Sequence, residues 1–186
     1  MDGQREAIRA VRTEDSAAIC QIYNHYVLNS SASFEEQPVS EDTMAQRIAE
    51  VSARFPWLVY QQHGQVVAYA YLSAWRPRRS YRFSAESSIY LAPHAQSKGL
   101  GKQLYQQLLK QLDDYPISTV LAGISLPNQA SEGLHQRLGF RKVAELEKVG
   151  YKFGRWINVA YWQLQIKTEQ QLNDLISRQQ KKLENG

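Results

Sequence analysis

Ile89-Tyr90-Leu91-Ala92-Pro93-His94-Ala95-Gln96-Ser97-Lys98-Gly99-Leu100-Gly101-Lys102 is the stretch that decides the fold. An apolar strand is broken at Pro93, and a glycine-bearing turn then opens a helix. Gly99 and Gly101 remove side chains where a backbone has to come close to a ligand. Amides at the start of the helix have no partner inside it, and with the macrodipole they point at an anion on the helix axis. A P-loop needs four residues between its glycines and a following Lys-Ser/Thr, which this segment lacks. The dinucleotide fingerprint needs a third glycine, where this chain has Leu104.

Moving outward, the helix spans Gly99 to Asp113 with Leu100, Leu104, Leu108, Leu109 and Leu112 on one side. Upstream, Ala7 to Arg12 alternates as a strand, and Thr13 caps a helix with Glu14 and Asp15 in its first turn. That helix buries Ile19, Ile22, Tyr23, Tyr26 and Val27. A second helix starts at Ser40-Glu41-Asp42 and stops at Pro56. Trp57 to Gln61 and Gln65 to Trp75 are strands around a His63-Gly64 turn, and Ala85 to Leu91 is another. Downstream, the pattern predicts a strand over Ile117 to Ile124 and a helix over Asn128 to Leu138 with Gly139 as its C-terminal cap. Two further strands follow, Phe140 to Val149 and Trp156 to Ile166. Residues 167–186 read as a polar, solvated helical tail to one domain over 1–166.

Composition excludes several classes. The 186 residues are 43% hydrophobic and 22% charged, enough for a core without disulfides. One cysteine, Cys20, leaves no intrachain disulfide and no cysteine-based zinc site, which suits a reducing cytoplasm. No metal is expected. The charged start, Met1 to Glu6, leads into no apolar segment of signal-peptide length, and no window reaches the length of a membrane span. The excess of 22 basic over 18 acidic residues is too small and too interspersed for a nucleic-acid footprint. Only Arg76, Arg78, Arg79 and Arg82 form a local cluster.

Gln96, Gly99 and Gly101 form the pattern Gln-x-x-Gly-x-Gly, which resembles the coenzyme A pyrophosphate motif of the GNAT N-acetyltransferases. Asn128, Ser131, His135 and Leu138-Gly139-Phe140 resemble the family's next helix, where an Asn contacts the coenzyme arm. The usual pattern has Ala in place of Ser131 and Tyr in place of His135. That Tyr is often assigned as the acid for the departing thiolate, so His135 or a water is left for the role. The resemblance covers roughly residues 7–166. It implies an α/β fold, a splayed, mostly antiparallel sheet flanked by helices, with acetyl-CoA as cosubstrate in the gap. On this resemblance Ser97, Lys98, Leu100 and Lys102 complete the coenzyme loop.

Trp75-Arg76-Pro77-Arg78, Tyr81-Arg82, Ala85-Glu86-Ser87-Ser88-Ile89-Tyr90 and Gly150 to Trp156 look like the phosphinothricin and methionine sulfoximine acetyltransferases, as does Phe34. Ser87 departs from that pattern, since relatives commonly carry His beside the glutamate. The resemblance implies N-acetylation of a small amino acid or its tetrahedral analogue, and a homodimer. An ammonium has no lone pair for attack, so a base must deprotonate it, and Glu86 is the natural choice. Tyr81, Phe83 and Tyr90 are expected to wall it in and raise its pKa. Backbone N–H groups of Ile89, Tyr90 and Leu91 are expected to donate to the thioester oxygen as charge develops there. Arg76, Arg78 and Arg82 suit a substrate carboxylate, with Phe34, Trp75, Pro77, Tyr81, Ser87 and Ser88 around the acceptor. Cationic acceptors such as polyamines or aminoglycosides form the alternative, disfavoured by the arginines, and a non-catalytic coenzyme-binding module is a further one.

Overall fold

A computed structural model describes residues 6–184, so Met1 to Arg5 and the last two residues of the tail lie outside the described residues. Strands β1 (Ala7–Ala10), β2 (Trp57–Gln62), β3 (Gln65–Ala74), β4 (Ser84–Leu91), β5 (Thr119–Ser125), β6 (Arg141–Lys152) and β7 (Arg155–Gln165) form one sheet. Its order is β1-β2-β3-β4-β5-β7-β6. All neighbours are antiparallel except β4 and β5. The helices are α1 (Ser16–Asn29), α2 (Glu41–Ser52), α3 (Leu100–Lys110), α4 (Gln129–Arg137) and α5 (Glu169–Glu184).

The apolar stripe read from the sequence lies in the core. Leu104, Leu108 and Leu112 are fully buried with Ile19, Val59, Leu72 and Val120. Trp57 stacks on Tyr71 with ring centroids 4.2 Å apart, so aromatic side chains pave one part of the sheet. Among the described residues, no helix is long and apolar enough to cross a membrane.

Three boundaries differ from expectation for identifiable reasons. Thr13–Asp15 is a separate 3₁₀ turn, because Asp15 is claimed by Arg9 (2.7 and 2.8 Å) and by the Arg12 amide (2.8 Å) rather than by the dipole. β6 runs three residues beyond Val149 to Lys152, through Gly150, and turns at Phe153-Gly154, both at positive φ. Gly150 is no strand break, since the Phe34 ring occupies the space of its missing side chain: a Cβ there would lie 2.4 Å from the ring. The tail, expected to be solvated, is a docked helix. Leu172 is buried, the Lys167 amine donates to the Leu112 and Ile117 carbonyls, and the Gln179 amide reaches Asp114 (3.1 Å).

Candidate active site

The two parallel strands pair over only three positions, Ser84 with Thr119, Ala85 with Val120 and Glu86 with Leu121. Beyond this fork β4 continues to Leu91 and β5 to Ser125 unpaired with each other, and a cleft of about 560 Å³ opens there. The Ala92 amide bonds the Val67 carbonyl (2.8 Å), continuing the ladder between β4 and β3. Main-chain groups alternate along an antiparallel ladder, so Tyr90 and Ser88 face β3 while Ile89 and Leu91 face the gap. By the same alternation from the Leu126–Asn158 bond (2.9 Å), Gly123 and Ser125 face the gap from β5. Tyr90, expected among the gap donors, is thereby corrected: its amide serves the ladder.

The glycine-bearing turn closes one end of the cleft. Gly99 caps α3 at φ +78, a left-handed conformation that costs a residue with a Cβ, and Ser97 precedes it at φ +60. The first main-chain bond of the turn runs from Gln103 N–H to Gly99 C=O (3.2 Å), and no side chain caps the helix. The amides of Leu100, Gly101 and Lys102 therefore have no partner inside the helix and are open to an anion. Lys98 and Lys102 are exposed beside it. Gln96 holds the turn from behind: its Nε2 donates to Tyr26 Oη (3.0 Å), whose hydroxyl donates to Leu91 C=O (2.6 Å). Asn128 caps α4, its Oδ1 accepting the Ser131 amide (3.1 Å), and both residues line the cleft. These features suit a ligand with an anionic head and a long arm, as a coenzyme A thioester has.

Glu86 stands at the last paired position of β4, on the strand face shared with Ser88 and Tyr90. A Cβ on Gly123 would lie 3.4 Å from its Oε1 and 3.5 Å from the Tyr161 ring, so that glycine leaves the carboxylate room. Tyr161 packs edge-on against Trp75 (5.4 Å). Burial pushes the Glu86 carboxyl above the usual carboxylate range, opposed by the nearby Arg76 guanidinium. Its walls differ from those expected: Gly123 and Tyr161 adjoin it, while Tyr90 packs with Tyr23, Tyr26 and Tyr69 and Tyr81 is exposed.

The arginine cluster divides. Arg76 stacks over Trp75 (4.8 Å) and acts on Glu86. Arg82 lies over Phe83 (4.1 Å) and donates to the Arg79 carbonyl (3.2 Å), with no ion pair to Glu86 among the described residues. Pro77 and Arg78 are exposed on the connecting loop, which sequence spacing alone had grouped with Arg76.

Two features of the acceptor side were not read from the sequence. Lys152 is buried, and its amine donates to the carbonyls of Ser30 (2.9 Å) and Ser33 (2.6 Å), so the hairpin tip holds the loop whose Ser30, Ser31 and Ala32 line the cleft. Burial depresses its pKa. Glu35 accepts from Tyr23 Oη (3.0 Å) and from Arg47 (2.7 Å), fixing that same loop from α1 and α2. Neither carries a local motif: Lys152 meets partners 119 and 122 residues away, and Glu35 meets partners 12 residues away on either side.

His135 lines the cleft but is buried with both ring nitrogens engaged. Nδ1 is 2.8 Å from the Ser131 carbonyl and Nε2 is 3.2 Å from Tyr105 Oη. Burial lowers its pKa and favours the neutral ring. A neutral imidazole whose only N–H is already given to a carbonyl has no proton to offer a thiolate, which argues against the acid role expected from the sequence.

A parted parallel strand pair, a helix N-terminus at one end and a half-buried carboxylate at the fork suit transfer of an acyl group from a phosphate-bearing carrier. The chain belongs to the GNAT acetyltransferase family, whose domain matches residues 8–160, and it is an N-acetyltransferase. It is 42% identical over 164 residues to the L-amino acid N-acyltransferase MnaT of Escherichia coli, covering 86% of this chain and 94% of that one. It is 38% identical over 163 residues to an L-methionine sulfoximine/L-methionine sulfone acetyltransferase of Salmonella typhimurium, with 86% and 94% covered. A phosphinothricin acetyltransferase of Sinorhizobium meliloti solved with acetyl-CoA superposes with a TM-score of 0.83 at 36% identity, over 86% of this chain and 88% of that one.

Proposed function

We propose that this enzyme acetylates the α-amino group of a small amino acid or of a tetrahedral analogue such as phosphinothricin, methionine sulfoximine or methionine sulfone, with Glu86 as general base. The observation that carries the reading is a carboxylate with a raised pKa at the fork, beside Gly123 and under the influence of Arg76. Acetyl-CoA supplies an acetyl group activated as a thioester. The amides of Leu100, Gly101 and Lys102 bind its pyrophosphate, and Asn128 and Ser131 line the path of its arm. Ile89 and Leu91 offer the main-chain groups on the β4 side of the gap. Glu86 takes the proton from the acceptor's ammonium, leaving an amine lone pair for attack. Arg76 receives the acceptor's α-carboxylate, its planar fork matching that group. The deciding experiment measures thiol release from acetyl-CoA with methionine sulfoximine, methionine sulfone, phosphinothricin, spermidine and kanamycin. Turnover confined to the first three supports the reading, and preference for the two cationic amines overturns it.

Arg76→Gln separates the two tasks of that side chain. The acceptor KM is expected to rise about tenfold, the loss of one charge-assisted contact. Arg76 favours the ionised carboxylate, so without it Glu86 holds its proton to higher pH. The base is idle while protonated, so the acidic limb of the kcat profile moves to higher pH. An unchanged KM together with an unmoved limb removes Arg76 from the site.

The enzyme is also proposed to be a homodimer through the β6–β7 hairpin. Trp156 is 64% exposed, Val149 56% and Tyr151 53%, and β6 is an unpaired edge strand. Ile157, Val159, Ala160 and Trp162 of β7 are buried, which leaves Trp156 as the exposed apolar residue of that strand. Sedimentation at twice the chain mass, lost in Trp156→Asp, is the expected result; a parent that sediments as a single chain refutes it.

A further inference from the structure

Three buried polar side chains meet behind the fork, on the strand face opposite Glu86. Ser87 is the first residue of β4 past the paired positions, and Tyr105 and His135 come from α3 and α4. They are 7%, 1% and 3% exposed. Tyr105 Oη bonds both the Ser87 hydroxyl and His135 Nε2, and Ser87 Oγ also lies 3.1 Å from the Leu121 carbonyl, which belongs to the last paired residue of β5. One group thus touches both strands where they part, the helix whose first amides are open and the helix that Asn128 caps.

Proton accounting gives the chain a direction. The Nδ1 proton of His135 goes to the Ser131 carbonyl, which leaves Nε2 as an acceptor. The Tyr105 hydroxyl therefore donates to Nε2, and the single Ser87 proton is shared between Tyr105 Oη and the Leu121 carbonyl. A solvated hydroxyl would find water instead; here both hydroxyls belong to buried side chains, and deleting one member leaves its partner short of a bond.

We infer that Ser87, Tyr105 and His135 form a clasp that sets how far β4 and β5 open, and so positions Glu86 on one side of Ser87 and the gap-facing Ile89 on the other. They are positioning residues, and none of them touches a reacting atom. The inference rests on the proposed reading of the cleft as the acetyl-transfer site.

The test uses the full chain and the variants Tyr105→Phe, His135→Leu and His135→Gln. Tyr105→Phe and His135→Leu are each expected to lower kcat about tenfold, the value of one buried hydrogen bond lost from a positioned site. His135→Gln keeps an acceptor near the place of Nε2 and should restore kcat to within about threefold of the parent, since the bond to Tyr105 is remade. The pH limbs of the kcat profile stay where they are in all three. If His135→Gln is as slow as His135→Leu, or if a basic limb vanishes with the imidazole, the side chain acts as an acid and the clasp is refuted. Amide hydrogen exchange supplies a readout that needs no acceptor. The amides of Ala85 and Leu121, which face the partner strand in the paired stretch at the fork, should exchange faster in Tyr105→Phe than in the parent, and equal rates overturn the clasp. If none of the five amines is acetylated while exchange still rises, the substrate reading fails and the clasp stands.

Discussion

Glu86→Gln is expected to lower kcat for amino-acid acetylation by about 10²–10³-fold, the usual share of a positioned general base, with acetyl-CoA affinity unchanged. The substitution keeps size and planarity and removes only the ability to take a proton. Glu86 stands at the fork of β4 and β5, away from the N-terminus of α3 proposed to hold the coenzyme, so the two roles separate in the test. Burial raises its pKa and Arg76 partly offsets that rise. In the parent, activity should therefore fall on acidification at a higher pH than an ordinary carboxylate would give. In Glu86→Gln this limb disappears from the residual rate. Turnover within twofold of the parent would remove Glu86 from the mechanism and leave the acceptor amine to ionise unaided.

Gly101→Val should weaken acetyl-CoA binding at least tenfold, equivalent to one lost charge-assisted contact or more. The reason is narrower than the sequence suggests. A Cβ at Gly101 would rest at ordinary contact, 3.5 and 3.6 Å from the two Leu91 methyls and 3.7 Å from Leu134. The two methyls of valine extend beyond that shell into Leu91, Leu134 or the cleft. Either the first turn of α3 moves, taking its amides with it, or the pyrophosphate meets a methyl group. Gly101→Ala is the control, since its single carbon fits; it should bind nearly as the parent does. Calorimetric titration with acetyl-CoA decides the matter, and parental affinity in Gly101→Val would overturn the assignment of the loop.

Much of the fold was legible because local signals agreed with tertiary need. The leucines of α3, the proline stop after β4 and the Asn128 cap each act within a few residues. The β-strand edges were less legible, since Gly150 looks like a breaker until Phe34 is seen filling its space. The turn from Gln96 to Lys102 is one contiguous stretch, so its left-handed glycine and its open amides follow from local sequence. The surroundings of Glu86 are assembled from distant segments, so spacing misled: Arg76, Arg78 and Arg82 are neighbours in sequence, yet of the three only Arg76 acts on Glu86. Tyr105 lies beside the buried leucines of α3, and nothing local marks its hydroxyl as the centre of a network. Asp15 was read as a dipole partner because the chain does not show that Arg9 lies across from it.

The grip of Lys152 on Ser30 and Ser33 has a consequence for order in time. The chain leaves the ribosome from its N-terminus, so the loop after α1 emerges about 120 residues before the amine that fastens it. Glu86, the phosphate turn and Asn128 are all synthesised in that interval. A nascent chain ending at Val149 would hold the base and the coenzyme turn, yet lack both Gly150, the seat of the Phe34 ring, and the cation that secures Ser30 and Ser33. The Ser30–Ser33 loop is therefore fastened by Lys152 only after Glu86, the phosphate turn and Asn128 have all emerged.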